Sequence, residues 1–173
     1  MRVGVVLMCD KGKQGCTPLI NTLISFGHTP VILYWDDISS IKSSGISHWI
    51  FSGNATYKKE DMTRMPMSVF SLPIHVFCIC YSFQSALVQL GYALQYKKEP
   101  VFKTVSIFYK TPLRVKLKYS QHIKSPVKGE LASYRQECMM FRYKNAILTQ
   151  FHPELTADGR TLLKDFLTPT VDG

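Results

Sequence analysis

"IHVFCICYSFQSALVQLG", residues 74–91, sets a strand-like apolar run directly against a pattern of helical period. The run stops at Cys80, and from Ser82 onward Ala86, Leu87, Leu90 and Leu94 recur at helical spacing, which predicts a helix over Ser82–Tyr96. In open α/β sheets ligands gather at the carboxyl ends of strands. A cysteine where a strand hands over to a helix is therefore either a thiol buried for packing or a nucleophile pushed out of the sheet, with helix-start amides favouring its thiolate. Cys78 is expected to point to the opposite face of the strand and to pack.

Outward from this junction the same rhythm repeats. "VGVVLM" (Val3–Met8) reads as a strand covered on both faces, and "TPVILYW" and "HWIFSG" as further strands. After the turn "CDKGKQGC", Cys16 or Thr17 can open a helix with Pro18 in its first turn and Leu19, Ile20, Leu23, Ile24 and Phe26 as an apolar stripe, closed by Gly27. Strand–helix–strand order implies right-handed crossovers and a mainly parallel sheet covered on both faces, a three-layer α/β/α domain. Beyond Pro100 the pattern becomes short alternating strands, "VSIFY", "LRVKLKY", "LASYRQE" and "CMMFRY", an antiparallel extension. "NAILTQF" is a last buried strand, a helix beginning at Asp158 or Thr161 runs to Leu167, and "TPTVDG" is a frayed end.

Composition narrows the class. The 173 residues are 46% hydrophobic with no composition break, which fits one domain over residues 1–173. No apolar segment is long enough for a membrane span or a secretory leader, so a soluble cytoplasmic protein is expected. Five cysteines are an odd number without zinc-type spacing, which argues against a disulfide framework and a metal site. The formal charge of +9 is spread along the chain and is densest between Lys97 and Lys128. There Lys116 and Lys118 alternate with Val115 and Leu117, a strand with one wet face, a simpler reading than a nucleic-acid footprint.

A thiolate nucleophile needs a partner that moves protons. "TQFHPEL" supplies one: His152 follows the last buried strand, and Glu154, two residues on, can orient it if the segment is extended. "WIFSGN", "IHVFCICYSFQSALVQLG" and "TQFHPELTADGRTLLKDFL" together resemble the class I glutamine amidotransferase family in order and separation. The likeness runs from Val3 to Leu167, loosely between Gln95 and Lys144. The family's elbow reads Gly-x-Cys-x-Gly-x-Gln. This chain carries Cys78 and Ser82 at the two glycine positions, and "SGNATYKKED" in place of the glycine- and proline-rich oxyanion turn.

That resemblance implies a flavodoxin-like fold and a cofactor-free glutaminase reaction. Cys80 attacks the side-chain amide of glutamine, His152 moves protons and Glu154 holds His152. The backbone amides of Tyr81 and of the Gly53–Asn54 turn form the oxyanion hole, with Asn54 in the left-handed region that glycine prefers. Gln84, Ser120 and His122 are implied substrate contacts. A chain of this length suggests a synthase partner on a separate chain. The alternatives are a γ-glutamyl amide or peptide hydrolase of the same fold, and a catalytically silent homologue binding nucleic acid or protein through its basic surface.

Overall fold

The computed structural model describes residues 1–10, 16–54 and 61–168. The "CDKGKQGC" turn apart from its ends, residues 55–60 of the oxyanion loop and most of "TPTVDG" lie outside the described residues. Strand β1 (Arg2–Leu7) leads through helix α1 (Thr17–Ser25) to β2 (Thr29–Tyr34), followed by β3 (His48–Phe51), β4 (His75–Ile79) and α2 (Tyr81–Gln89). A long hairpin, β5 (Leu94–Tyr109) and β6 (Thr111–Ile123), precedes β7 (Glu130–Tyr134), β8 (Glu137–Tyr143), β9 (Ala146–Thr149) and α3 (Ala157–Leu167).

The seven-stranded sheet has the order β2-β1-β3-β4-β9-β8-β7; the first five strands run parallel, and β8 and β7 extend them antiparallel. With β9 as fifth strand this is the flavodoxin-like order, whose crevice opens where the chain switches from the β2 side of β1 to the β3 side. Pleating divides the strand residues between two layers. Val3, Val5, Ile50, Phe77 and Ile79 pack against Leu19 and Leu23 of α1 and Leu163 and Leu167 of α3. Val6, Trp49, Phe51, Val76 and Cys78 pack against Phe83, Ala86 and Leu87 of α2. Burial on both faces explains why β1, β3 and β4 read as unbroken apolar runs. The approach between neighbouring strands is close: a Cβ on Gly4 would stand 2.1 Å from the Trp49 ring.

The hairpin forms its own two-stranded sheet and lays Ile107, Val115, Leu117 and Tyr119 over Met139, Met140 and Phe151. Its other face carries exposed Phe102, with the Lys116 ammonium 4.0 Å from the ring centroid. Alternation of wet lysines with buried Val115 and Leu117 is as expected.

Three local expectations are corrected. The helix after Cys80 stops at Gln89 rather than running to Tyr96, because Gly91 takes φ 101° and reverses the chain, so Leu94 belongs to β5. Ile24 is 56% exposed, because α1 buries only the stripe of Leu19, Thr22 and Leu23. "LASYRQE" is not one strand: Arg135 and Gln136 both take positive φ, as a two-residue hairpin turn requires, and Glu137 opens β8.

Candidate active site

Cys80 sits between β4 and α2 with φ 52° and ψ −98°, a left-handed conformation rare for a residue with a side chain. Such a backbone costs on the order of 1–3 kcal/mol and persists only where its surroundings hold it. Here the Cys80 N–H donates to Thr149 O at 2.8 Å, and its carbonyl accepts from Gln84 N at 2.9 Å. Ser82 supplies the rest. Its hydroxyl accepts from Ile79 N at 2.9 Å and lies 2.9 Å from Phe51 O and 3.0 Å from Ile79 O, linking β3, β4 and the start of α2. The serine that replaces a glycine of the related motif thus braces the turn.

This turn also corrects the reason for separating the two cysteines. Pleating alone would put Cys78 and Cys80 on one face, since they are two residues apart. Cys78 does pack under α2, fully buried, and burial pushes its thiol far up. The left-handed turn swings Cys80 away from that layer, so its half-buried side chain meets the α1/α3 layer and the hairpin instead.

The His152 ring reaches the same place from β9. Its backbone N–H donates to Lys116 O of β6 at 3.0 Å, which ties the end of the sheet to the hairpin. The chain beyond His152 is not extended as expected. Pro153–Leu155 form a single 3-10 turn, held by Arg160 Nη1 donating to Glu154 O at 3.3 Å and by Gly159 pressed against Pro153. The turn still brings Glu154 Oε2 to 3.4 Å from His152 Nδ1, with Glu154 Oε1 buried and without a partner among the described residues. Burial alone would lower the His152 imidazole. The negative charge and hydrogen bond of Cys80, with a bond and charge from Glu154, outweigh it and push the imidazole up to about 10. Both neighbours of the ring thus favour its charged form.

Gly53 closes the other side of the pair. A Cβ there would stand 3.3 Å from His152 Cε1 and 3.5 Å from Cys80 Cβ, so the turn after β3 packs directly on both side chains. Asn54 is buried beside it. Among the described residues the left-handed non-glycine positions are Cys80, Lys110, Arg135, Gln136 and Lys144, so the left-handed Asn54 expected from the sequence is not found. Tyr81 is the first residue of α2, where N–H groups have no acceptor within the helix.

Of the remaining expected contacts, Gln84 is linked to the sulfur through Gln150, whereas Ser120 and His122 lie on β6 without a hydrogen bond to it. Gln84 is almost wholly buried; its Nε2 lies 2.9 Å from Gln121 O and 3.2 Å from Gln150 Oε1, leaving its own Oε1 without a partner among the described residues. Gln150, absent from the sequence-based set, donates Nε2 to Cys80 Sγ at 3.6 Å. Its signal is its place in "TQFHPEL", two residues before the histidine and at a strand end. Ser120 is half-buried on β6, and His122 Nδ1 lies 3.4 Å from Glu137 Oε1 without hydrogen-bond geometry. The Lys118 carbonyl is 3.6 Å from Cys80 Sγ, so β6 runs alongside the nucleophile. All five thiols are free, and no group of three metal-ligating side chains occurs among the described residues.

No protein-family model matches the chain. It is 26% identical over 186 residues to a glutamine-hydrolyzing GMP synthase of Borrelia garinii subsp. bavariensis, covering 96% of this chain and 35% of that protein. Identity to the enzyme of the same description from Ruminiclostridium cellulolyticum is 29%, over 79% of this chain and 30% of that one. The chain thus spans about a third of the length of these relatives. Among solved structures, a Thermoplasma acidophilum protein described as a subunit of GMP synthase superposes with TM-score 0.76 at 19% identity, covering 95% of this chain and 92% of its own. PurLQS from Thermotoga maritima superposes with TM-score 0.74 at 15% identity, over 96% and 97%.

Proposed function

We propose that this chain, which has the fold of class I glutamine amidotransferases and resembles them in sequence, is a single glutaminase domain over residues 1–173, with Cys80 as nucleophile. The observation that carries the reading is the meeting of Cys80, His152 and Glu154, from the ends of β4 and β9, beside the Gly53 turn. The similarity to glutamine-hydrolyzing proteins supports the same substrate.

In this reading the Cys80 thiolate attacks the side-chain amide carbon of glutamine. The oxygen that becomes negative is met by the Tyr81 N–H and an N–H of the Gly53–Asn54 turn, each donor worth about 3 kcal/mol in related chemistry. Protonated His152 gives its proton to the departing nitrogen, the C–N bond breaks, and ammonia leaves a γ-glutamyl thioester. Neutral His152 then takes a proton from water as it attacks the thioester, releasing glutamate and restoring the imidazolium–thiolate pair. Glu154 keeps Nδ1–H in place throughout. Gln150 and Gln84 form a buried amide chain behind the sulfur, and Ser120 and His122 lie on the strand that flanks it. Ammonia then passes to a synthase, in the reducing cytoplasm, where free thiols persist. No helix among the described residues is long and apolar enough to cross a membrane.

The test is glutamate release from glutamine by the purified protein, alone and with candidate synthases, against Cys80→Ala. Equal background in both proteins would end the hydrolytic reading. A γ-glutamyl amide or peptide hydrolase would use the same three residues and would reveal itself by preferring other γ-glutamyl compounds. A nucleic-acid role finds no support in the similarities above.

A further inference from the structure

The outer face of the β5–β6 hairpin has no layer packed over it. Burial alternates along both strands: Ile107, Val115 and Leu117 turn to the core, and the residues between them face solvent. That outer row carries Phe102 and Phe108 on β5, each 66% exposed, opposite Lys118 and Pro112 on β6, with Lys116 and Arg114 between. No carboxylate stands in the row. Asp158 reaches only its edge, where its Oδ2 accepts the Arg114 backbone N–H at 2.7 Å. None of the three cations is ion-paired among the described residues. A wet row of lysines is ordinary in a chain with a formal charge of +9. Two open phenylalanines in the same row, with the cations between them, form a pattern that charge alone does not.

We propose that this face binds single-stranded nucleic acid, its bases stacking on Phe102 and Phe108 and its phosphates meeting Arg114, Lys116 and Lys118. The surface stands apart from the glutaminase reading and needs neither Cys80 nor His152. Three unpaired cations with no acid among them call for an anionic partner. A second copy of this chain would bring the same cations face to face. An acidic protein fits the charge but not the layout. The two rings lie six residues apart, about 20 Å along an extended strand, and Thr104 and Ser106 separate them. The row therefore lacks the continuous apolar centre that anchors a protein interface, where lysine is also depleted. Separate rings with cations between them suit a chain that alternates flat bases with phosphates. Bases inside a duplex are stacked on one another, so a single strand is the form whose faces are free. The Lys116 ammonium lies 4.0 Å from the Phe102 ring centroid. A base that takes this ring face releases the lysine to the adjoining phosphate, and stacking is worth more than an exposed cation–π contact.

The experiment is fluorescence anisotropy of the purified protein with labelled oligothymidylate and oligouridylate of about 15 nucleotides, titrated between about 50 and 200 mM salt. Binding is expected at the low end, falling with salt at a log–log slope of about −2, as three phosphate contacts on a single strand require. Phe102→Thr and Phe108→Thr should each weaken it at least about five-fold without changing the slope. Joint Lys116→Gln and Lys118→Gln should reduce the slope to about −0.7. Melting temperature should hold in the phenylalanine variants, since both rings are exposed, and Cys80→Ala should bind as the wild type does. Binding of only one of the two oligomers would assign the sugar and retain the proposal. No binding at about 50 mM salt, where phosphate contacts are strongest, overturns it. So does affinity indifferent to both phenylalanines, or a duplex of the same length bound as tightly as the single strand. Oligoglutamate competing as well as unlabelled oligothymidylate would assign the face to an acidic protein and overturn it too.

Discussion

The side-chain amide of Gln150 donates to the sulfur of Cys80 at 3.6 Å, and Gln150 is itself fully buried. The nucleophile is therefore held from behind by a group that cannot titrate. Replacing Gln150 with Leu removes this donor and the acceptor of Gln84 Nε2. The expected result is a kcat lower by roughly ten-fold with KM little changed and a stability loss of about 1 kcal/mol. Steady-state kinetics and denaturant unfolding check it; unchanged kcat would show that the contact is packing only.

His152 carries a pH signature. Its folded-state value of about 10 lies above the ordinary 6.5. A raised value contributes stability that is complete below the unfolded pKa and is lost as pH rises through the folded one. The stability advantage of the wild type over His152→Gln should therefore be greatest near pH 6 and shrink progressively between about 6.5 and 10. Because Cys80 supplies two of the causes that raise it, Cys80→Ala should move the His152 titration downward. Imidazole resonances followed by NMR measure the titration and denaturant unfolding across pH the stability; a titration indifferent to Cys80 would separate the two side chains.

Glu154 acts through His152, so its loss should appear in turnover before binding. Glu154→Gln keeps the shape but removes the charge that favours the imidazolium, and a fall of roughly 10²–10⁴ in kcat is expected. The pH profile should also shift toward acid. A wild-type profile in this variant would mean that the 3.4 Å contact is incidental.

Two small residues test the frame rather than the chemistry. Gly4→Ala forces a Cβ into the Trp49 ring and should cost about 2 kcal/mol or more of stability. Ser82→Ala strips the buried Ile79 N–H of its partner and should cost about 1–3 kcal/mol. Gly53→Ala is expected to differ from both: its Cβ would stand 3.3 Å from His152 Cε1, so the ring must give by a few tenths of an ångström, while it meets Cys80 Cβ at ordinary contact, 3.5 Å, and leaves the core intact. Activity should fall with little change in melting temperature.

Most of the layered fold is legible in the sequence because doubly covered strands are written as unbroken apolar runs, and Cys80 and His152 both follow such runs. What stays hidden depends on backbone conformation without a glycine to mark it. Arg135–Gln136, Lys110 and Lys144 turn the chain with positive φ despite carrying long side chains, so composition does not reveal the hairpin boundaries there. The elbow shows itself by its position, but pleating, which suggests where Cys78 points, stops applying at the left-handed Cys80. Gln150 is invisible for a different reason: its bonds to Cys80 and Gln84 are long-range polar contacts formed only when the end of β9 lies beside β4 and α2.

Covalent labelling tests the central claim most directly. The purified protein is treated with a glutamine-mimicking electrophile and its peptides are mapped by mass spectrometry, with and without excess L-glutamine. A single adduct on Cys80, suppressed by glutamine and absent in His152→Gln at neutral pH, is the predicted result. An adduct on Cys78 or Cys16, or one on Cys80 that glutamine does not suppress, would contradict it.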